Sequence, residues 1–103
     1  FTQTRVGMTR WLVSLEAADE LEALVDFLVS DMPEHAVQTV DLIMDALNIL
    51  QDHPNIGRPL QLLLRELVIS RGRTGYVALY EYDAQADVVV VLAIRHQRQA
   101  GYS

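Results

Sequence analysis

The chain has no cysteine, so it forms no disulfide and carries no thiolate chemistry, and its redox compartment is unmarked. It has no lysine either: all eight cations are arginine. No apolar run reaches the roughly 18–20 residues of a membrane-spanning helix, and no repeat or low-complexity segment is present. Residues 1–7 lack the apolar core of a secretory signal. They read as an N-terminal extension or an expression remnant ahead of Met8, with residues 8–103 as a single domain. Half of the 103 residues are hydrophobic and 21% are charged, a composition that can bury a core without staples. A soluble cytoplasmic protein with no membrane partner is the expectation.

What is present is unevenly distributed. Residues 1–64 hold three arginines against ten carboxylates, a net of -7, whereas residues 65–103 hold five against four, a net of +1. Genomic codon bias accounts for the missing lysines as readily as selection does, but not for where the arginines stand. Arginine offers a planar, permanently charged fork suited to phosphate or carboxylate. The overall charge of -6 argues against bulk nucleic-acid binding, which calls for a basic domain.

The periodicities divide the chain into elements. Arg10–Leu15 alternates as a strand, with Trp11, Val13 and Leu15 on one face. From Glu16 the period becomes helical: Ala17, Leu21, Leu24, Val25 and Leu28 form one stripe, with Asp19, Glu20, Glu22 and Asp26 largely off it. Pro33 suits the first turn of a second helix, with Asp31 or Met32 near its cap. Ala36, Val40, Ile43, Leu47 and Leu50 make its seam, and His53-Pro54 stops it. After the loop Asn55–Pro59 come three strand candidates, about Arg65–Ile69, Tyr76–Tyr82 and Val88–Ile94, joined by linkers short enough for hairpins. The last is apolar throughout, as a central strand covered on both faces would be. The fold class is α+β: a strand, an antiparallel helical hairpin, then a three-stranded antiparallel meander, with the helices on one face of the sheet.

The ordered set of Ala17-Ala-Asp-Glu-Leu21, Leu50-Gln-Asp-His-Pro54, Ile56-Gly-Arg-Pro59, Leu64–Ile69, Tyr76–Tyr80 and Leu92-Ala-Ile-Arg-His96 resembles the RelE/ParE superfamily, toxins of type II toxin–antitoxin systems, often called plasmid stabilisation proteins. The resemblance spans about Thr9 to Tyr102. It implies a growth-inhibiting toxin masked by a cognate antitoxin, as a homodimer or within a toxin–antitoxin heterotetramer. ParE-like members poison DNA gyrase without a known catalytic site. RelE-like members cleave mRNA on the ribosome.

His96 is the residue that separates these readings. An imidazole titrates near neutral pH and can act as base or acid. In a metal-independent endonuclease Arg65, Arg71, Arg73 or Arg95 would stabilise the phosphorane charge, and Tyr102 or Tyr80 would stack on a base or donate a proton. Alternatively, His96 is a strand-end residue bonded to backbone. Arg71, Arg73, Arg95, Arg98 and Tyr102 would then serve antitoxin or target binding. Arg58 reads as a structural hydrogen-bonding residue, and Arg65-Glu66 as a sheet-edge pair with one residue facing out, worth little by itself. No metal or other cofactor is expected, because cysteine is absent and His35 and His53 lie at opposite ends of one helix. The acidic helices would oppose rRNA phosphates, which favours the ParE-like binding toxin with gyrase as target. The RelE-like endonuclease is the alternative, and a degenerate member that only binds antitoxin is the third.

Overall fold

Ser14 marks the change from strand to helix. Its N–H donates to the Val91 carbonyl at 2.9 Å, continuing a strand ladder. Its hydroxyl oxygen accepts the Ala17 N–H at 3.0 Å, an N-cap bond worth about 1 kcal/mol. The strand expected over 10–15 therefore ends early, as β2, Arg10–Val13. Leu15, grouped by alternation with Trp11 and Val13, already belongs to the first turn of α1 (Leu15–Asp31) and is 86% exposed. In this computed structural model residues 2–3, 9–69 and 75–96 are described. Arg71, Arg73, Arg98 and Tyr102 lie outside them.

The second helix, α2 (Pro33–Asp52), has its proline in the first turn and ends at His53. Its buried residues include Ala36, Ile43, Leu47 and Leu50, four of the five seam positions. Four further strands are β1 (Thr2–Gln3), β3 (Arg58–Pro59), β4 (Leu64–Val68) and β5 (Tyr76–Asp83), followed by β6 (Val88–His96). The six form one sheet in the order β1-β2-β6-β5-β4-β3. The meander β4-β5-β6 is antiparallel as expected. β2 joins β6 in parallel, with Trp11 opposite Val89 and Val13 opposite Val91. This makes β6 a central strand over that stretch, which is why it carries an unbroken apolar run.

A bulge decides which face β6 presents beyond Val91. Tyr80 pairs with Val91 and Leu79 with Ala93, leaving Leu92 extra. The extra residue inverts the alternation, so Val89, Val91 and Ile94 all reach one core. With them are Trp11, Val13, Ala17, Ile43, Leu47, Leu50, Ala78 and Tyr80. Burying a large apolar side chain there contributes roughly 1.5–3 kcal/mol.

Candidate functional site

A half-open groove of about 650 Å³ lies between α1 and the ends of β5 and β6. Helical spacing puts Glu20, Ala23, Leu24 and Phe27 on one side of it, and Tyr76, Ile94 and His96 supply the sheet side. Phe27 is 51% exposed although it is aromatic and sits in this lining. Tyr76 and His96 are opposite one another in the β5–β6 register. Their rings meet edge to face, centroids 5.6 Å apart at 81°, an arrangement favoured by the ring quadrupole. Burial pushes the Tyr76 phenol above its usual pKa, so it is a neutral hydrogen-bonding group at physiological pH.

β2 runs out at Val13, and among the described residues no strand follows β6 beyond Val91 on that side. Side chains take its place. The Ser14 hydroxyl donates to the Leu92 carbonyl at 3.4 Å. Glu20 Oε1 accepts the Ile94 N–H at 3.2 Å, and Glu20 Oε2 accepts Arg95 Nε at 3.1 Å. Arg95 is thus paired with a carboxylate of α1 at the rim of the groove.

The other arginines in the described region stand elsewhere. Arg65 donates to the carbonyls of Asn55 at 3.0 Å and Gly57 at 2.7 Å. It is opposite Tyr80, whereas His96 is opposite Tyr76. Four residues along an extended strand separate the two levels by roughly 13 Å. Arg65 and His96 are therefore not brought together. Arg58 bonds Glu66 at 3.1 Å, with the Glu66 side chain only 5% exposed, so the structural role expected of Arg58 holds. Arg65 and Glu66 point to opposite faces of β4, as neighbours in a strand do, with Glu66 buried and Arg65 the more exposed of the two; Arg65 bonds the Asn55 and Gly57 carbonyls and Glu66 bonds Arg58. Tyr80, fully buried, accepts the Gly57 N–H at 2.8 Å; burial raises its pKa, partly offset by that N–H and by Arg65. It packs under the loop, away from the groove.

Glu20 and Phe27 were not singled out by sequence. The signal was available: Glu20, Leu24 and Phe27 follow at spacings of four and three, one helix face, with a carboxylate interrupting an apolar row. The groove suits a protein segment by its apolar walls, and it offers an imidazole, a phenol and a carboxylate at one end.

Residues 12–101 match the family described as ParE toxin of type II toxin-antitoxin system, parDE. The chain is 35% identical over 80 residues to Toxin RelE3 of Caulobacter vibrioides, a match that covers 78% of this chain and 85% of the relative. Among solved structures, a chain of the chromosomal ParDE toxin–antitoxin system of P. aeruginosa superposes with a TM-score of 0.66 at 26% identity, covering 84% of this chain and 92% of that one. A chain of the RelBE2 toxin–antitoxin complex of Mycobacterium tuberculosis shares the fold, with a TM-score of 0.59 at 20% identity over 92% and 98% of the two chains. The helical hairpin on a sheet ending in Ile94-Arg95-His96, together with a match over nearly the whole chain, makes this protein a member of the ParE toxin family of the RelE/ParE superfamily.

Proposed function

We propose that the chain is a cytoplasmic toxin that arrests growth by binding its target, with DNA gyrase as that target by family analogy, and that a cognate antitoxin neutralises it. The observation that carries the binding reading is that the described arginines of β3, β4 and β6 are each engaged in bonds within the fold. Among the described residues, Arg65 holds two loop carbonyls roughly 13 Å along the sheet from His96, Arg58 holds Glu66, and Arg95 holds Glu20. Phosphoryl chemistry needs charge stabilisation at the same phosphate whose entering and leaving oxygens the base and acid serve. An antitoxin segment fits the α1–β6 groove, whose walls at Ala23, Leu24, Phe27 and Ile94 offer apolar anchors.

The endonuclease reading draws on one contact, the imidazole of His96 against the Tyr76 ring, two groups able to move protons or stack on a base. Inducing the chain in bacteria separates the possibilities. Growth arrest with a DNA-damage response and intact mRNA is the expected result. Transcripts cut at codon positions would replace it with the endonuclease, and unimpaired growth with a non-toxic antitoxin binder.

A further inference from the structure

The Glu20 carboxylate occupies the place of a missing strand. It accepts the Ile94 N–H through one oxygen and Arg95 Nε through the other. Among the described residues, β6 is paired on this side as far as Val91, the partner of Val13, and its next backbone groups are met by Ser14 and Glu20. A sheet edge with free backbone groups is a template for another chain, and an inward-reaching charge is one way of guarding it. The guard is displaceable: the Glu20 side chain is 32% exposed and that of Arg95 44%, so neither is locked by packing.

We propose that the edge of β6 at Ile94 is a strand-addition site, closed by Glu20 in the free protein and opened by an extended segment of a protein partner that carries one acidic residue among apolar ones. The segment's backbone carbonyl takes over the Ile94 N–H. Its carboxylate replaces that of Glu20 on Arg95, which conserves the ion pair and leaves no cation uncompensated. Its apolar side chains enter the groove at Leu24 and Phe27, where half of the Phe27 surface is bare. The charge requirement follows from the exchange, since a neutral segment would break the Glu20–Arg95 pair and return nothing. The other α1 carboxylates, Glu16, Asp19, Glu22 and Asp26, do not line the groove. Main-chain bonds supply affinity in such pairing, and side-chain pockets supply selectivity.

The inference rests on the reading that a partner segment docks beside α1, but its test involves neither toxicity nor target, so the two can fail separately. The isotope-labelled chain is titrated by NMR with acetyl-Ser-Leu-Thr-Glu-Val-Leu-Ser-amide and with the same peptide bearing Gln for Glu. The Glu peptide is expected to shift the amides of Ile94 and Phe27 and to bind at least threefold more tightly than the Gln peptide. E20A is expected to bind both peptides more tightly, because the edge is already open. R95Q is expected to erase the preference for Glu. Equal affinity of the wild-type chain for the two peptides, shifts away from β6, or weaker binding by a folded E20A would overturn the proposal. Concentration-dependent dimerisation of E20A would also overturn it, by making a second copy of the chain the occupant.

Discussion

Tyr80 and Gly57 are fitted to one another across the loop that follows α2. The phenol oxygen accepts the Gly57 N–H at 2.8 Å, and a Cβ at position 57 would stand 2.6 Å from the Tyr80 ring and 2.9 Å from the Glu66 carbonyl. Tyr80→Phe leaves a buried N–H without its acceptor and should cost about 1–3 kcal/mol. Gly57→Ala must move the backbone of β4 and should cost at least as much. Denaturant unfolding of both variants checks this, and an unchanged midpoint for Gly57→Ala would mean that the loop is free to move away.

Arg65 secures the same loop from above by its bonds to Asn55 and Gly57. Arg65→Ala is expected to lose about 1.5–3 kcal/mol, the range for charge-assisted hydrogen bonds. Toxicity per folded molecule should be unchanged. The check is to compare soluble protein level with growth arrest across an induction series. A stable, soluble but harmless R65A would place Arg65 in the toxic mechanism instead.

A second tie links the start of β2 to the β5–β6 turn. Asp87, at φ 54°, accepts the Thr9 hydroxyl at 2.7 Å and the Tyr82 hydroxyl at 2.8 Å. These two donors, Thr9 first, hold the Asp87 carboxyl below its usual pKa. A lowered carboxyl pKa stabilises the fold above the unfolded-state value, and the contribution is lost as pH falls through the folded-state value. Thr9→Val should therefore lower the melting temperature at pH 7, and the difference from wild type should shrink below about pH 4. For Tyr82 the sign reverses: its bond to Asp87 raises the phenol pKa, so its contribution fades as pH rises past about 10. Thermal melts across pH test both limbs.

The periodicity of the sequence carried both helices and the meander, because each depends on neighbours in the chain. Pro33 and His53-Pro54 bounded α2 by local backbone restrictions. The parallel pairing of β2 with β6 joins residues such as Trp11 and Val89 that no local rule connects, and the two-residue strands β1 and β3 are too short to show alternation. The same distinction runs through the candidate site. His96 and Arg95 stood out by type and position. Glu20 looked like one more solvated carboxylate on α1, since its partners Ile94 and Arg95 arrive only with the fold.

Phe27 offers a test of the groove that spares stability. Half exposed already, it can be truncated to Ala with a change in unfolding free energy within about 0.5 kcal/mol. As a central aromatic anchor it should cost about 2 kcal/mol or more of antitoxin affinity. Calorimetric titration with the protein encoded beside this chain measures it, and undiminished affinity would move the antitoxin off the groove.

The distinction between a binding toxin and a nuclease turns on His96. Growth arrest by His96→Ala, expressed at the same soluble level as the wild-type chain, measures it. Arrest as complete as that of the wild type is the expected result, because a binding mechanism asks no proton transfer of His96. Restored growth with a folded His96→Ala protein would contradict the binding mechanism and make His96 a catalytic residue.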